Sequence, residues 1–214
     1  YECFCTAERL EQMRREQEAH KLAPKYDRHC TKLSAAEKEK LLAQKTPFVV
    51  RQKIPDGNKV TWHDLVRGEV SFQCDTIDDQ ILLKSDGFPT YHLANVIDDH
   101  LMEITHVIRG EEWLSSTPKH ILLYRALGWN PPEFAHLPLL LNKDRTTLSK
   151  RQGDVAVEDY RKKGYLPEAV VNFIALLGWH PGGSETEEIF SIGELVEKFS
   201  LEKVHKGGAV FDLE

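Results

Sequence analysis

The stretch of sequence that decides the fold is Ile104-Thr105-His106-Val107-Ile108, followed by Thr117-Pro118-Lys119-His120-Ile121-Leu122-Leu123-Tyr124-Arg125-Ala126-Leu127-Gly128. The first run is rich in β-branched and apolar residues and predicts a strand. The second run predicts a helix, with Thr117 as its N-cap, Pro118 in the first helical position and Gly128 at its end. In that helix, the pairs Leu122/Ala126 and Leu123/Leu127 are expected to form the buried face.

The alternation of strand and helix extends outward from this stretch. Ile81-Leu82-Leu83-Lys84 predicts a strand, a helix follows from Tyr91, and a further strand is expected from Leu137 to Leu141. Strand, helix, strand, helix, strand is an order typical of a parallel sheet. Residues 81–154 are therefore assigned to an α/β region.

The segment before this region, residues 1–80, combines short helices with short strands. Thr6 can cap a helix that runs to about His20, and Ser34 with Glu37 forms a capping-box pattern for another. Strands are expected at 48–52 and 69–72, with a turn at Pro55-Asp56-Gly57-Asn58. This pattern indicates an α+β insertion.

The segment after it, residues 155–214, is expected to be helical. Pro167 can open a helix that Gly178 closes, and Ser191 with Glu194 can cap another. The apolar face of the first of these helices is formed by Val170, Phe173, Ile174 and Leu177.

Composition limits the class of protein. The chain has 214 residues, 41% of them hydrophobic, and a formal net charge of -6. It contains no apolar run near the roughly 18 residues of a membrane span and no signal-peptide pattern, which favours an intracellular protein without a membrane partner. Disulfides between the four cysteines are not expected in that setting. Because the net charge repels phosphate, a nucleic-acid partner would need local basic surface.

Three motifs carry a family resemblance. They are the run Lys84-Ser85-Asp86-Gly87-Phe88-Pro89-Thr90-Tyr91-His92-Leu93-Ala94-Asn95-Val96-Ile97-Asp98-Asp99-His100, the run Val107-Ile108-Arg109-Gly110-Glu111-Glu112-Trp113, and the run Leu148-Ser149-Lys150-Arg151. Together they resemble glutamyl-tRNA synthetases, and the third run matches the second signature loop of class I synthetases. The resemblance covers nearly the whole chain and ends at Gly207-Gly208-Ala209-Val210-Phe211-Asp212-Leu213-Glu214.

This resemblance implies a fold, a reaction and a set of partners. Residues 81–154 would be the second half of a class I Rossmann-type catalytic domain, residues 1–80 a connective insertion that binds the tRNA acceptor end, and residues 155–214 a helical stem-contact region. The implied enzyme activates L-glutamate with ATP and Mg²⁺ and transfers it to tRNA(Glu). A monomer is expected, in the bacterial cytoplasm or in an organelle.

The resemblance also implies site residues for glutamate. Arg109 and Tyr91 match positions that hold the side-chain carboxylate, and Asn95 lies one helical turn after Tyr91. A planar guanidinium would prefer this anion to the neutral amide of glutamine. Without the motif, Arg109 would be read as an ion-pair partner of Glu111, Glu112 or Asp98, and Tyr91 as a core aromatic.

For ATP, Glu112 matches a ribose contact, and Leu140 matches a strand-end residue whose backbone reads adenine. The signature loop comprises Thr147, Leu148, Ser149, Lys150 and Arg151, with Lys150 and Arg151 as the catalytic cations. Thr147 departs from the family lysine, and the neighbouring Lys143 or Arg145 could replace part of that charge. Alone, the loop would be read as a solvated basic turn.

The cysteines Cys3, Cys5 and Cys30 resemble a zinc knuckle found in some family members. A closed tetrahedral site needs a fourth ligand, for which Tyr26 and the adjacent His29 are the candidates, since Lys32 stands where some members have histidine. The alternative is a set of free structural thiols.

Two further expectations concern the extent of the chain. It begins with Tyr1, and neither the first class I signature, of His-Ile-Gly-His type, nor an anticodon-binding region is present. We therefore expect a piece of a longer enzyme that is inactive alone. The rival interpretations are an enzyme that resembles glutamyl-Q tRNA(Asp) synthetase and a non-catalytic tRNA-binding module.

Overall fold

In a computed structural model, the described residues are 1–148, 156–182 and 188–212, and they form an α/β protein. The helices are α1 (Ala7–Ala19), α2 (Ala35–Ala43), α3 (Tyr91–Leu101), α4 (Thr117–Ala126), α5 (Val157–Lys162), α6 (Pro167–Leu176) and α7 (Ile192–Lys198). The strands are β1 (Glu2–Cys3), β2 (Val49–Arg51), β3 (Lys59–Asp64), β4 (Gly68–Gln73), β5 (Ile81–Leu83), β6 (His106–Gly110), β7 (Glu133–Leu137), β8 (Leu140–Leu141) and β9 (Ala209–Val210). Within the described ranges, every helix is too short or too polar to cross a bilayer.

The chain divides into two compact units that are interleaved in sequence. The first unit comprises residues 1–61, 71–104 and 116–132, and the second comprises residues 62–70, 105–115 and 133–214. The sequence predicted three regions in series, with boundaries at 80/81 and 154/155, and that division by function stays a prediction.

The first unit contains an antiparallel sheet of order β1-β2-β5, in which Val50 lies opposite both Glu2 and Leu83. Helices α3 and α4 of this unit form a core in which Val96, Leu123 and Tyr124 are buried. A separate cluster near the N-terminus buries Cys3, Tyr26 and Cys30.

The second unit contains most of a four-stranded sheet of order β4-β3-β7-β6. Strand β7 is parallel to both of its neighbours, with Asp64 of β3 opposite Phe134 and Arg109 of β6 opposite His136. The parallel sheet expected from the alternating pattern is thus confirmed for the strand near Ile108. Strands β8 and β9 form a separate parallel pair.

Two of the strand predictions are wrong in detail. Ile81–Leu83 does not join the parallel sheet but pairs antiparallel with β2. The strand expected from Leu137 to Leu141 is two strands, β7 ending at Leu137 and β8 beginning at Leu140. Pro138 lies between them, and a proline has no N–H for a sheet hydrogen bond.

Helix α4 also differs from its prediction. Ser116 rather than Thr117 occupies the N-cap, without a side-chain capping bond, and Thr117 is the first helical residue. The buried face comprises His120, Ile121, Leu123 and Tyr124, while Ala126 and Leu127 are exposed. Leu123 is thus buried as predicted and Leu122 is half-buried, but the prediction is wrong for Ala126 and Leu127, because the last turn of the helix faces solvent.

The remaining capping predictions are confirmed. The Thr6 hydroxyl accepts from the backbone N–H of Arg9, and both Ser34/Glu37 and Ser191/Glu194 form complete capping boxes. Such caps satisfy backbone N–H groups that the first turn of a helix leaves without partners.

Candidate active site

Arg109 lies near the carboxyl end of β6, beside the carboxyl end of β7. In open parallel sheets, this is the edge at which ligands bind. Arg109 is half-buried, and its guanidinium carbon lies 5.6 Å from the Trp113 ring centroid and 5.7 Å from that of Phe134. The two rings and the sheet together limit the orientations that the guanidinium can adopt.

A buried hydrogen-bonded chain supports Arg109 from the sheet. Its Nε–H donates to Nε2 of His136 at 3.2 Å, and Nδ1 of His136 lies 2.5 Å from Oδ2 of Asp64. The side chains of His136 and Asp64 are both fully buried. An arginine Nε always carries a proton, so Nε2 of His136 is the acceptor and Nδ1 carries the proton that Asp64 accepts.

Asp64 is held as a carboxylate. Its Oδ1 accepts from the backbone N–H groups of His136, Val66 and Arg67 at 3.0–3.1 Å. Burial opposes ionisation, but the hydrogen bonds from the His136 side chain and from these backbone groups outweigh it and lower the pKa of Asp64 to about 2.

Glu111 pairs with Arg67 rather than with Arg109. Its carboxylate forms an ion pair with Arg67, with 2.8 Å between Nη2 and Oε2. Arg67 also donates to the backbone carbonyls of His136 and Lys206. The alternative interpretation, in which Arg109 is the ion-pair partner of Glu111, is therefore wrong.

Glu112 follows in a 3₁₀ turn (Glu111–Trp113) and is exposed. A Cβ atom on Gly110 would fall within its carboxylate group. The absence of a side chain at Gly110 thus leaves the space that Glu112 occupies. The ribose contact predicted for Glu112 stays a prediction.

Tyr91 and Asn95 lie one turn apart on α3, as predicted, but in the first unit, whereas Arg109 belongs to the second. Tyr91 is 52% exposed, and its ring lies 6.4 Å from that of His120. Oδ1 of Asn95 is buried and has no hydrogen-bond partner within the described ranges. A buried acceptor usually has a partner, so a polar group of a ligand is one candidate for it, and the joint pocket with Arg109 stays a prediction.

The residues predicted to bind ATP are only partly described. Leu140 lies in β8, and the chain turns back so that the N–H of Leu148 donates to the Leu140 carbonyl at 2.8 Å. Thr147 is exposed, and Lys143, one candidate to replace the missing lysine charge, forms an ion pair with Asp212 at 3.0 Å. Ser149, Lys150 and Arg151 lie outside the described residues.

Leu140 and Leu148 also line an apolar cavity of about 530 Å³ in the second unit. Its other lining residues include Val170, Phe173 and Ile174 of α6 and the C-cap residue Leu177, which the helical spacing placed on one side. The spacing prediction for α6 is therefore confirmed.

The predicted zinc residues lie together. The Sγ atoms of Cys3, Cys5 and Cys30 lie within 4.8 Å of one another, and the Tyr26 hydroxyl is 3.3 Å from both Cys3 and Cys5. Sulfur atoms that share one zinc ion lie about 3.8 Å apart, so this cluster fits the ion. His29, the other candidate for the fourth ligand, is exposed and does not belong to the cluster.

The thiols differ in how readily they ionise. Burial opposes ionisation of Cys3, but hydrogen bonds from Tyr26, the Cys5 backbone and Arg51 lower its pKa. Burial raises the pKa of Cys5 to about 11 and also raises that of the Tyr26 hydroxyl. Because zinc binds the deprotonated groups, the ion would have to displace these protons.

Asp64 and His136 were not identified from the sequence. Two polar residues in apolar strands, Asp64 at the end of β3 and His136 within Phe134-Ala135-His136-Leu137, were the available signal. A buried polar side chain in a strand requires a hydrogen-bond partner, but only the fold shows that these two are partners.

The resemblance inferred from the motifs is confirmed by comparison with known proteins. A glutamate–tRNA ligase of Chlorobaculum parvum is 58% identical over all of this chain and 44% of its own length, and that of Clostridioides difficile is 55% identical over all of this chain and 43% of its own. The crystal structure of a glutamate tRNA ligase from Elizabethkingia meningosepticum in complex with its amino acid matches with a TM-score of 0.88. It is 44% identical and covers 99% of this chain and 47% of that one.

This chain thus spans less than half the length of these relatives. The sequence model of one family, described as tRNA synthetases class I (E and Q), catalytic domain, matches residues 1–214. Since the match includes every residue, the chain belongs to the class I tRNA synthetases of this glutamate and glutamine family.

Proposed function

We propose that the chain provides part of the active site of a glutamate–tRNA ligase. In this reaction the α-carboxylate of L-glutamate attacks the α-phosphate of ATP, pyrophosphate leaves, and glutamate then passes from the adenylate to the terminal adenosine of tRNA(Glu). No side-chain nucleophile is needed, so the protein contributes positioning and charge stabilisation.

The observation that carries this proposal is the held guanidinium of Arg109. A cation fixed at the carboxyl edge of a parallel sheet can receive the side-chain carboxylate of glutamate in a planar, two-point contact. Glutamine offers an amide in place of this anion and would lose the charge-assisted part of the contact. Tyr91 and Asn95 complete the proposed glutamate site.

The ATP site is proposed on the family resemblance. Glu112 contacts the ribose, the backbone of Leu140 reads adenine, and Thr147, Leu148, Ser149, Lys150 and Arg151 form the loop at the triphosphate. Mg²⁺ enters with ATP. In this arrangement Lys150 and Arg151 offset the charge that develops on the leaving pyrophosphate.

The three predicted regions are proposed to divide the work on tRNA. Residues 1–80 contact the acceptor end, residues 81–154 supply the second half of a Rossmann-type nucleotide fold, and residues 155–214 contact the stem. Recognition of folded RNA of this kind depends mainly on shape and phosphate contacts.

We also propose that Cys3, Cys5, Tyr26 and Cys30 bind one structural zinc ion. The support is the convergence of all four side chains on one point near the N-terminus. Arg51, which is buried against the Tyr26 ring with 4.1 Å between its guanidinium carbon and the ring centroid, would offset the negative charge of three thiolates. The ion would tie the N-terminal strand to the turn at Cys30.

The test is glutamate-dependent exchange of pyrophosphate into ATP by the full-length protein, with tRNA(Glu) present. Arg109→Lys keeps the charge but loses the planar fork, so we expect kcat/KM for glutamate to fall about 30-fold, as for loss of a charge-assisted contact of about 2 kcal/mol. The matched control is Arg125→Lys on the exposed last turn of α4, which should leave exchange unchanged. Exchange that glutamine supports as well as glutamate does would contradict the proposed substrate.

A further inference from the structure

The proposed function uses the guanidinium of Arg109 but assigns no separate role to the buried pair Asp64 and His136 that supports it. Both side chains have 0% exposure, and both lie behind Arg109 in the second unit. We propose that Asp64 and His136 are positioning residues that select the orientation of Arg109 for a substrate carboxylate. This inference rests on the proposed recognition of glutamate by Arg109.

The first step of the argument is the direction of the hydrogen bonds. The Nε–H of Arg109 can only donate, so His136 must accept at Nε2 and carry its proton on Nδ1. Asp64 accepts that proton through Oδ2. Ionised Asp64 thereby fixes one neutral tautomer of His136, and that tautomer is the one that can bind Arg109.

The second step is the orientation of Asp64 itself. Its Oδ1 atom is occupied by three backbone N–H groups, those of Val66, Arg67 and His136. These bonds determine the plane of the carboxylate and leave Oδ2 directed at the imidazole. The orientation is thus transmitted from the backbone at Val66 and Arg67 to the guanidinium of Arg109.

The third step is what this arrangement offers a ligand. Arginine has many rotamers, and fixing one of them before substrate binds removes an entropic cost from recognition. His136 accepts a hydrogen bond from the Nε–H of the guanidinium. The ring centroids of Trp113 and Phe134 lie 5.6 and 5.7 Å from the guanidinium carbon. A two-point contact to a carboxylate depends on this plane, because both donors must reach both oxygens.

The isosteric change Asp64→Asn separates these contributions. The carboxamide oxygen should stay on the three backbone N–H groups, which places the NH₂ group at Nδ1 of His136. Since that NH₂ can only donate, His136 must accept at Nδ1 and move its proton to Nε2, where it opposes the Nε–H of Arg109. The local fold is kept, but the bond to Arg109 is lost.

The matched control is Asp79→Asn in the first unit. Asp79 is also a fully buried carboxylate, and it is held by Arg28 and Tyr1. A loss of stability alone would affect both variants, whereas only the Asp64 change should affect Arg109.

A second pair of variants changes the acceptor. His136→Gln can present an oxygen near the position of Nε2, while His136→Leu cannot. If His136 were merely a core residue, the two variants would behave alike. A positioning role predicts that Gln retains more glutamate affinity than Leu does.

Two measurements on the same proteins decide the matter. Nitrogen-15 NMR of the imidazole rings reports the tautomer, and His136→Gln identifies the His136 signal by its absence. We expect Nδ1–H in the unaltered protein and Nε2–H in Asp64→Asn. Equilibrium binding to the full-length protein should then show glutamate affinity reduced about 10- to 100-fold by Asp64→Asn, the range observed when a metal-ligating side chain loses the outer partner that orients it. Asp79→Asn should leave the affinity unchanged.

The outcomes separate this inference from the proposed function. An Nε2–H tautomer in the unaltered protein, or a tautomer change that leaves glutamate affinity intact, would overturn the positioning role while the ligase proposal stood. Failure of the unaltered protein to bind glutamate would overturn the proposed function, and the role in glutamate recognition would be overturned with it.

Discussion

Asp64 is the residue whose ionisation links the candidate site to stability. Its pKa is lowered from 3.8 to about 2 by hydrogen bonds that outweigh the cost of burial. Because the folded value lies below the unfolded value, the stabilisation is present above about pH 4 and is lost as pH falls through about 2.

This predicts an acid-sensitive contribution that depends on Asp64. The shift corresponds to roughly 2 kcal/mol of unfolding free energy at neutral pH. The difference in unfolding free energy between the unaltered protein and Asp64→Asn should shrink by about that amount as pH falls from 5 to 2, measured by denaturant titration at each pH. A difference that stays constant over this range would show that the carboxylate is not held in this way.

Gly110 permits a precise test of the neighbouring carboxylate. Its backbone angles, φ -68° and ψ 151°, suit any residue, so the obstacle to a larger side chain is the Glu112 carboxylate. Gly110→Ala should displace Glu112 and raise the KM for ATP several-fold, with stability changed by less than about 0.5 kcal/mol. If Glu112 contacts the ribose, Glu112→Ala should raise this KM similarly; an unchanged KM in both variants would remove Glu112 from the ATP site.

At the scale of elements, the N-terminal knuckle is formed by β1, the 3₁₀ turn His29–Lys32 and the loop before it. Its core is small, since the buried residues are Cys3, Tyr26 and Cys30. A metal ion that joins such short elements contributes its binding energy to their folding.

We therefore predict about one zinc ion per chain, measured by elemental analysis after purification with zinc present. Cys5→Ser should lose most of the zinc and lower the thermal midpoint. Cys74→Ser is the matched control, because Cys74 is buried outside the cluster. Tyr26→Phe tests the fourth ligand, and we expect it to reduce zinc affinity. Zinc content below a tenth of stoichiometry in the unaltered protein would exclude the site.

Elements were predicted best where the signal was local. Caps at Thr6, Ser34 and Ser191 depend on residues three apart, and all three formed as expected. The buried face of α4 could not be predicted without tertiary information, because apolar residues at the end of this helix face solvent while His120 is buried. Periodicity records which residues can be buried, and packing decides which of them are.

The candidate site shows the same limit. Arg109, Tyr91 and the cysteines of the cluster could be named as candidates because a recognisable motif contains them. Asp64 lies 72 residues from His136, and their contact exists only because β3 and β7 are neighbours in the sheet. A pairing of this kind is determined by the packing of whole strands, so one sequence without its fold gives no direct signal of it.

At the scale of the whole molecule, the two compact units are discontinuous in sequence. The chain passes between them five times, at 61/62, 70/71, 104/105, 115/116 and 132/133. The serial regions expected from the pattern of helices and strands therefore do not have to be independent folding units.

The boundary at residue 80 can be tested directly. A segment of residues 1–80 keeps the cysteine cluster but lacks β5, the partner of β2, and the α3–α4 core. It also leaves Gln52 without the Lys119 carbonyl to which its amide donates at 3.1 Å. Residues 1–132 contain the complete first unit.

We expect residues 1–132 to unfold cooperatively on heating and residues 1–80 to show no cooperative transition, as followed by circular dichroism with zinc present. The reason is that β2 keeps only β1 as a partner in the shorter segment, and that the α3–α4 core, against which Leu82 of β5 packs, is missing. Val96→Ala, which removes a fully buried side chain of the α3–α4 core, should lower the midpoint of the longer segment and serves as its control. Equal midpoints for the two segments would mean that residues 1–80 fold independently, and the interleaved division would then not describe how this part of the chain folds.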